Sequence, residues 1–241
     1  PGLSLEKSLF KAIEKKDYLL YTPYHSFSYI IKFLREAALD PGVSLIKITI
    51  YRLSKISNVA RALINAAKNG KKVLVQIELQ ARFDETNNII YAEQMQSAGV
   101  ELIFGIPGLK VHSKICVIEK TINNKRKRFG FISTGNLNED TAKVYTDYTL
   151  FTSNQKILRD VNKVFNFLQV HYKLKKYKHL IVSPHYTHNA IVKLIDNEIK
   201  NKKLGLSSGI KLKLNAITNF SMINKLYEAS NAGVNIKMIV R

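Results

Sequence analysis

Two parts of this sequence repeat one another at a nearly constant offset. The stretch LLYTPYH at 19–25 matches LIVSPHY at 180–186, and AAKNGKKVLVQIE at 66–78 matches ASNAGVNIKMIVR at 229–241. The prolines of the first pair are 161 residues apart (184 − 23), and the glycines of the second pair are 163 residues apart (233 − 70). Such a repeat indicates a duplicated structural unit, although any two β-α-β units share part of this pattern.

The first copy alternates strand-like and helix-like segments. Apolar runs rich in β-branched residues predict strands, and apolar positions spaced three and four residues apart predict helices. Ser57 or Asn58 can cap a helix that Gly70 ends. Strands joined by helices in this order predict a mostly parallel α/β sheet. The predicted strands are 17–22, 44–51, 72–79 and 100–104, and the predicted helices are 26–38, 57–68 and 87–98.

The pattern changes in the second half of the first copy. Residues 110–119 and 128–134 are two apolar segments on either side of the polar tip NNKRKR, which predicts a hairpin. Residues 145–151 are predicted to form a further strand. The apolar stripe over 157–168 predicts a long amphipathic helix.

The two copies differ in length. The first runs through about residue 170, whereas the second stops at the position equivalent to residue 78 of the first. We therefore expect a complete first domain at 1–170 and the N-terminal part of a second, truncated domain at 171–241. The sequence begins Pro1-Gly2 without Met, and these features together predict a fragment of a longer protein.

Charge limits the class of partner. The chain has 38 Lys and Arg against 18 Asp and Glu, so its formal charge is +20. This charge predicts an anionic partner, and nucleic acid, an acidic membrane face and a phosphate polymer all qualify. The single cysteine, Cys116, excludes a disulfide scaffold and is expected to be a small buried apolar residue. The sequence has no apolar run of the roughly 18 residues that a membrane-spanning helix needs.

The first chemical motif is Val111-His112-Ser113-Lys114, at the start of an apolar strand. Because side chains alternate along a strand, His112 and Lys114 are expected to share a face. A neutral imidazole is a good nucleophile toward phosphorus, and a cation two residues away can hold an anionic substrate beside it. A histidine at a strand edge beside a solvated lysine is the alternative interpretation.

The second motif, Ser133-Thr134-Gly135-Asn136, follows the next predicted strand. Glycine permits a tight turn, and asparagine with exposed backbone amides can bind anions, so Asn136 is a candidate phosphate-binding residue. An ordinary strand-to-loop turn is the alternative. An H-x-K motif followed by such a turn resembles the phospholipase D superfamily, whose members pair two such halves around one site.

Two arginines follow predicted strands. Arg52 comes after the second predicted strand, and Arg82 comes after the third. Ligands of open α/β sheets bind beyond the carboxyl ends of the strands, and guanidinium offers two donors to a phosphate. We therefore expect both arginines to bind phosphate. For Arg82, an ion pair with Asp84 or Glu85 is the alternative.

Tyr145 and Asp147 are expected to lie on one face of their predicted strand, because they are two residues apart. Tyrosine can stack on a base, and aspartate can orient the histidine. The spacing alone favours a simpler interpretation, in which Tyr145 faces the core and Asp147 belongs to a turn.

Taken together, these residues resemble the catalytic C-terminal region of the bacterial polyphosphate kinases. The resemblance covers essentially the whole chain, and it rests on several long motifs in order. It implies a phospholipase D-like mixed α/β sheet flanked by helices, duplicated, with the second copy truncated. The matching stretches are TPYHSF (22–27), IKITIYR (46–52), NGKKVLVQIELQARFDE (69–85), GLKVHSKICVI (108–118), STGNLNEDTAKVYTDYTLFT (133–152) and SGIKLKLN (208–215).

The resemblance implies a phosphotransferase that moves the terminal phosphate of ATP reversibly to inorganic polyphosphate through a phosphohistidine. His112 matches the phosphorylated residue, and Lys114 lies beside it. Arg52 and Arg82 match positions that the family associates with Mg²⁺, the implied cofactor, and with phosphate. Because guanidinium has no free acceptor, we interpret both arginines as holding phosphates that themselves carry the metal.

Two further residues match nucleotide-contacting positions of the family, namely Tyr145 and Arg241. The family also has domains that precede this region, and it has a second essential histidine later in the second copy. Neither feature is found in these 241 residues. We therefore expect the isolated chain to be inactive or nearly so.

The resemblance also implies partners and a compartment. The expected partners are ATP or ADP and inorganic polyphosphate, with no specific nucleic acid. A homo-oligomer is expected for the full-length protein. A cytoplasmic location is expected, with peripheral association at the inner membrane face as a further alternative. Two other functions remain open, namely a phospholipase D-type phosphodiesterase or nuclease and a non-catalytic polyanion-binding module.

Overall fold

The computed structural model describes residues 2–78, 85–106, 108–170 and 176–240. The chain divides into two compact units, Pro1–His179 and Leu180–Arg241, and each is described here by itself. Within those ranges, every helix is too short or too polar to cross a bilayer.

A seven-stranded mixed sheet forms the centre of unit 1. Its strands are β1 (Tyr18–Thr22), β2 (Val43–Ile50), β3 (Lys72–Ile77), β4 (Glu101–Phe104), β5 (Lys114–Ile122), β6 (Lys125–Ser133) and β7 (Asp147–Thr152). Their order across the sheet is β1-β7-β6-β5-β2-β3-β4. The pairs within β2-β3-β4 are parallel, and all other pairs are antiparallel. The mixed α/β sheet that the family resemblance implies is therefore confirmed. The mostly parallel sheet that the alternation of strands and helices predicts is wrong, because in this sheet only the pairs β2-β3 and β3-β4 are parallel.

Helices cover both faces of this sheet. They are α1 (Leu9–Lys15), α2 (Ser28–Leu39), α3 (Asn58–Lys68), α4 (Glu85–Ser97) and α5 (Gln155–Gln169). On one face, Phe33 of α2 is fully buried, and its ring centroid lies 6.0 Å from that of Phe131 and 5.2 Å from that of Phe151. On the opposite face α5 packs against β5 and β6, where Leu158 approaches Gly130.

Helix α3 begins where local sequence signals predict and ends within a turn of Gly70. The side chain of Ser57 accepts a hydrogen bond from the backbone N–H of Ala60 at 3.2 Å, as an N-cap should. Gly70, two residues past the helix, has a φ of +76°, which glycine adopts at no steric cost. Capping of this kind is encoded within a few residues, and the predicted bounds for this helix are confirmed.

The hairpin between β5 and β6 is tighter than the sequence predicts. Its loop is only Asn123-Asn124, whose φ angles of 49° and 58° are those of a type I′ turn. The basic residues that were expected at the tip lie in β6 instead. Arg128 stands directly opposite Glu119, and the two side chains form an ion pair at 2.9 Å. The prediction of a long polar tip was wrong because cross-strand pairing accommodates these charges in the ladder.

The strand directions gather the sequence motifs at one end of the sheet. β1, β2, β3, β4 and β6 all end at the same edge, and β5 and β7 begin there. We call this end of the sheet the carboxyl edge. It receives the segments that follow β2 and β6 and the segments that precede β5 and β7, which carry most of the predicted site residues.

Unit 2 repeats the first β-α-β portion of unit 1. Its elements are α6 (Thr187–Lys203), β8 (Gly209–Leu214), α7 (Phe220–Asn231) and β9 (Asn235–Val240). The parallel pair β8-β9 spans six residue pairs, as β2-β3 does. Buried Ile195 and Ile199 of α6 pack with Leu226 and Ala229 of α7 in a separate small core. The order α2-β2-α3-β3 therefore recurs as α6-β8-α7-β9, which is the repeat seen in the sequence.

Candidate functional site

The backbone around the H-x-K motif is held by a threonine from the neighbouring strand. Thr49 of β2 is fully buried, and its hydroxyl donates to the carbonyl of Ser113 at 2.6 Å. The same hydroxyl oxygen accepts from the backbone N–H of Ile115 at 3.0 Å. Because β5 begins only at Lys114, His112 precedes the strand. The strand-alternation argument therefore does not apply to His112, and Thr49 fixes the segment instead.

One aromatic ring brings together three of the predicted site residues. The ring of Tyr51 lies 4.7 Å from that of His112 between centroids, at an interplanar angle of 72°. Lys114 Nζ lies 5.2 Å from the centre of the Tyr51 ring, and Arg52 Cζ lies 5.6 Å from it. Cations over an aromatic face are attracted by its quadrupole. Tyr51 is not among the candidate residues that the sequence motifs predict, although its position between β2 and Arg52 was the signal.

The environment of His112 keeps its imidazole neutral. Burial lowers the pKa of His112, and the positive charges of Lys114, Arg52 and Lys110 lower it further. A neutral imidazole has one ring nitrogen with a free lone pair, which is the form that attacks phosphorus. The surrounding cations thus favour the nucleophilic form and also attract an anionic substrate.

Lys114 is a buried cation with an adjustable charge. Burial is the main reason why its pKa falls to about 8, and the positive charge of Arg52 acts in the same direction. The carboxylate of Asp147 opposes both effects and raises the pKa. The ammonium donates to the carbonyl of His112 at 2.6 Å, which ties the two motif residues together. At neutral pH Lys114 therefore presents a positive charge at the carboxyl edge.

The Ser-Thr-Gly-Asn turn is shaped by the close approach of Asp147. A Cβ on Gly135 would lie 2.7 Å from the Cβ, Cγ and Oδ2 atoms of Asp147, so only glycine fits. Thr134 Oγ1 donates to Asp147 Oδ1 at 2.7 Å. The glycine is therefore required by the proximity of this side chain and not by the turn, because the φ of Gly135 lies outside the positive range that favours glycine. The buried Oδ1 of Asn136 has no hydrogen-bond partner among the residues described.

Tyr145 lies outside the strand in which the sequence placed it. β7 begins at Asp147, and the backbone N–H of Tyr145 instead donates to the carbonyl of Thr141 at 2.9 Å. The prediction that Tyr145 and Asp147 share a strand face was therefore wrong. The contacts seen for the Asp147 side chain are with Thr134 and Gly135 rather than with His112. The Tyr145 side chain is half exposed.

A stack of tyrosines and a groove lie near Tyr145 at the same edge. The Tyr21 and Tyr148 rings stack across β1 and β7 with centroids 4.8 Å apart, and Tyr24 stacks on Tyr21 at 5.1 Å. The groove has a volume of about 560 Å³, which is within the range of small-molecule sites. The groove is lined by residues 23–28, Ile31, Glu139, Ala142 and Lys143. No sequence motif predicts this groove, because its two walls are more than 100 residues apart in the chain.

Two predicted site residues lie outside the described residues, namely Arg82 and Arg241. The expectation for Cys116 is confirmed, because its side chain is fully buried and burial raises the pKa of the thiol. A buried protonated thiol of this kind is chemically inert.

A ready-made cluster of metal ligands is not found among the residues that the structure describes. No group of three or more His, Cys, Asp or Glu side chains in the described ranges is arranged to hold a metal ion. The charged groups that act on His112 are the cations Lys114, Arg52 and Lys110. Magnesium prefers oxygen ligands from carboxylates and phosphates, which these side chains do not supply.

Comparison with protein families finds one family model that matches most of unit 1 and another that matches unit 2. The family model of polyphosphate kinase C-terminal domain 1 matches residues 8–174. The family model of polyphosphate kinase C-terminal domain 2 matches residues 180–241.

Individual relatives match nearly all of this chain. Polyphosphate kinase of Escherichia coli (strain K12) is 45% identical over 232 residues, which make up 96% of this chain and 34% of that protein. The crystal structure of polyphosphate kinase from Porphyromonas gingivalis has a TM-score of 0.87 at 41% identity and covers 98% of this chain and 40% of its own. NucT from Helicobacter pylori, at 16% identity and a TM-score of 0.51, shares only the fold, over 64% of this chain and 95% of its own. This chain spans about a third of the length of the curated relatives it matches.

Proposed function

The chain belongs to the polyphosphate kinase family, and from this we propose that unit 1 takes part in the reversible transfer of the terminal phosphate of ATP to inorganic polyphosphate. The observation that carries the proposal is the neutral His112 at the carboxyl edge, gathered with Lys114 and Arg52 around the ring of Tyr51. A nucleophile surrounded by cations suits a phosphate chain as substrate.

In the proposed first step, His112 accepts the phosphoryl group. The lone pair of its unprotonated ring nitrogen forms an N–P bond with the γ-phosphorus of ATP. The bond between that phosphorus and the bridging oxygen breaks, and its electron pair leaves with ADP. The lowered pKa of His112 supports this role because the imidazole is neutral at the working pH.

The cations around His112 would stabilise the charge that develops on the transferred group. Phosphoryl transfer depends mainly on positioning and on electrostatic stabilisation of the equatorial oxygens. Lys114 and Arg52 are proposed to hold these oxygens, with Arg82 and Asn136 as further phosphate-binding residues. In this role Asn136 would donate from its Nδ2 to a phosphate oxygen, because its Oδ1 can only accept.

In the proposed second step, a terminal oxygen of polyphosphate attacks the phosphorus of phosphohistidine. The N–P bond breaks, its electron pair returns to the imidazole, and the polyphosphate gains one phosphate. Each direction exchanges one high-energy phosphate linkage for another, which supports reversibility.

The nucleotide is proposed to contact Tyr145 and Arg241, as the family resemblance implies. The half-exposed ring of Tyr145 supports this role for the first of them. Lys143, two residues before Tyr145, lines the groove of about 560 Å³. This groove offers space for the planar base of the nucleotide. Magnesium is proposed to arrive on the nucleotide phosphates, since the protein side chains around His112 do not suit it, and no step here depends on it.

Oligomer formation and location are the remaining parts of the proposal. A homo-oligomer of the longer protein is proposed from the family alone. A cytoplasmic location is likewise proposed from the family alone. The alternative, peripheral contact at the inner membrane face, is supported by the charge of +20, which suits an anionic surface.

The proposal is tested by labelling with ATP that carries a radioactive γ-phosphate. The test uses the longest natural polypeptide that contains this sequence, because the chain spans only about a third of its relatives. We expect acid-labile, alkali-stable label in the parent protein. In His112→Ala we expect label below about 1% of the parent level, since the acceptor atom is gone. His185→Ala, at an exposed histidine of unit 2, is the matched control and should label normally.

The alternatives give different results. Unchanged labelling in His112→Ala would contradict the phosphohistidine role. Absence of label in the parent protein, together with DNA cleavage, would favour a nuclease. Salt-sensitive polyphosphate binding that survives loss of His112, with no label at all, would favour a non-catalytic polyanion-binding module.

A further inference from the structure

The loop that carries Arg52 is anchored by side chains from elsewhere in the chain. It connects β2 to α3 and spans residues 51–57. The most central anchor is Asn88 of α4, which is fully buried. Its Nδ2 donates to the carbonyl of Tyr51 at 3.0 Å and to the carbonyl of Glu78 at 2.8 Å. Its Oδ1 accepts from the backbone N–H of Leu53 at 3.1 Å.

These three hydrogen bonds also fix the orientation of the amide. Two carbonyl oxygens require donors and one N–H requires an acceptor, so the side chain of Asn88 fits in only one of its two flipped states. The bonds to Tyr51 and Leu53 lie on either side of Arg52. The backbone of Arg52 is therefore clamped from both directions by one buried side chain.

The bond to Glu78 extends the clamp to the neighbouring strand. Glu78 directly follows β3, and its own N–H donates to the carbonyl of Ile50 at 3.1 Å. Asn88 thus ties together the carboxyl ends of β2 and β3. These are the strand ends that lead into the two arginines of the proposed phosphate site.

A second side chain of α4 anchors the far end of the same loop. The hydroxyl of Tyr91 accepts from the backbone N–H of Ser57 at 2.8 Å and donates to the carbonyl of Lys55 at 3.2 Å. Glu139 adds a third anchor, accepting from Ser54 Oγ at 2.7 Å and from the N–H of Asn58 at 2.6 Å. Neither anchor bonds a residue next to Arg52 in the chain.

We infer that Asn88 is a positioning residue that holds Arg52 for a phosphate chain, an inference that rests on the proposed function for the identity of the ligand. Asn88 does not touch the substrate in this scheme. It restricts the backbone from which the guanidinium extends, so that less conformational entropy is lost when phosphate binds. The other anchors secure the loop without setting the direction of Arg52.

The test measures binding of inorganic tripolyphosphate to the 241-residue chain by calorimetry. Asn88→Asp keeps the size and the acceptor for Leu53 but removes both donors, and Asn88→Ser is a smaller second variant in case the first fails to fold. We expect each to weaken binding about tenfold, the scale of one charge-assisted hydrogen bond. In an Arg52→Ala background the same substitutions should add little, because the residue that they position is gone.

Tyr91→Phe is the matched control, since it removes hydrogen bonds from the same loop and the same helix while keeping the ring. It should leave tripolyphosphate affinity within about twofold of the parent chain. A second measurement uses the protein without ligand and follows the NMR resonance of the Arg52 Nε–H, which is assigned by its loss in Arg52→Lys. Its order parameter should fall in the Asn88 variants and stay unchanged in Tyr91→Phe.

Equal losses of affinity in the Asn88 and Tyr91 variants, or additive losses with Arg52→Ala, would overturn the inference. So would an unchanged Arg52 order parameter in both Asn88 variants. Absence of phosphohistidine in the parent protein would count against the proposed function alone, because the binding cycle and the resonance do not depend on phosphate transfer.

Discussion

Units 1 and 2 contain the same β-α-β segment in different surroundings. In unit 1 the inner strand β3 lies between β2 and β4, and Val75 and Ile77 are fully buried. The equivalent residues of β9 in unit 2, Met238 and Val240, are 48% and 45% exposed. In the described part of unit 2, β8 and β9 pair only with each other. Burial of a strand is therefore set by its neighbours as much as by its own sequence.

The proline-containing segments of the repeat show the same dependence. LLYT at 19–22 lies in β1, which pairs with β7 along five residue pairs. The matching residues 180–183 form no strand in the described structure of unit 2. A lone strand leaves its backbone groups unpaired, so the same local pattern becomes a strand only beside a partner.

The chemistry also separates the two units. The shared segment supplies Arg52 in unit 1, whereas His112, Lys114, Asn136 and Asp147 come from β5, β6, β7 and their connections. These strands run antiparallel to their neighbours and bring the motifs into the carboxyl edge. The duplicated segment thus provides a scaffold, and the antiparallel extension provides the proposed nucleophile.

The largest expected effect is a difference in stability between Gly→Ala substitutions at two strand glycines, one in each unit. A Cβ on Gly130 of β6 would lie 2.2 Å from the carbonyl oxygen of Cys116 and 2.7 Å from Leu158. Gly130→Ala would therefore push β6 away from the β5 backbone and from helix α5. We expect the free energy of unfolding of unit 1 to fall by about 3 kcal/mol. A Cβ on Gly209 of β8 would meet only the Asn235 carbonyl at 3.5 Å. Gly209→Ala should therefore change the stability of unit 2 by less than about 0.5 kcal/mol.

Native-state hydrogen exchange resolves these changes by unit, because amides of β2-β3 report on unit 1 and amides of β8-β9 report on unit 2. Exchange in β2-β3 should accelerate in Gly130→Ala while exchange in β8-β9 is unaffected. If Gly130→Ala lowered protection to a similar extent in both units, the expectation that the two cores unfold independently would be wrong.

A smaller effect is expected from a matched pair in the inner strands. Val75 of β3 and Met238 of β9 are equivalent in the repeat (238 − 75 = 163), but only Val75 is fully buried. Val75→Ala should lower the free energy of unfolding of unit 1 by about 2 kcal/mol, since it leaves a cavity in the core. Met238→Ala should cost less than about 1 kcal/mol in unit 2. A larger loss for Met238→Ala, measured by the same exchange experiment, would show that β9 is covered in solution.

The sequence predicts those features that a few neighbouring residues encode. The bounds of α3 follow from the Ser57 cap and from Gly70, and the repeat predicts the α-β-α-β order that both units share, although not the absence of a strand at 180–183. Cross-strand relations are different, because they join residues far apart in the chain. Arg128 was predicted at a loop tip because its partner, Glu119, becomes apparent only in the β5-β6 register.

The candidate site shows the same difference between features that neighbouring residues encode and features that depend on residues far apart in the chain. His112, Lys114 and Arg52 are found from motifs and strand ends, whereas the ring of Tyr51 that gathers them is seen only in three dimensions. Asn88 has no signal in the sequence, since a polar residue in a helix is usually exposed. Its full burial follows from three backbone partners that come from two other segments.

The smallest expected effect contrasts two lysines whose pKa values shift in opposite directions. In unit 1, burial lowers the pKa of Lys114 to about 8. In unit 2, hydrogen bonds from Lys225 to Asp196 and Glu228 raise the pKa of that lysine. Because a lysine loses its positive charge as the pH rises through its pKa, the charge of Lys114 should fall between pH 7 and 9 while that of Lys225 persists. Tripolyphosphate affinity should then fall by about fivefold over this range.

Three variants separate Lys114 from other groups that titrate in the same range, the ligand included. Lys114→Arg keeps a guanidinium charge throughout, so the decline in affinity between pH 7 and 9 should largely disappear. Asp147→Asn removes the charge that raises the pKa of Lys114, so the midpoint of the decline should move to lower pH. Lys225→Arg, the control in unit 2, should leave the profile unchanged. If Lys114→Arg kept the full decline, the pH dependence would belong to the ligand or to another group, and Lys114 would not be the adjustable cation of the carboxyl edge.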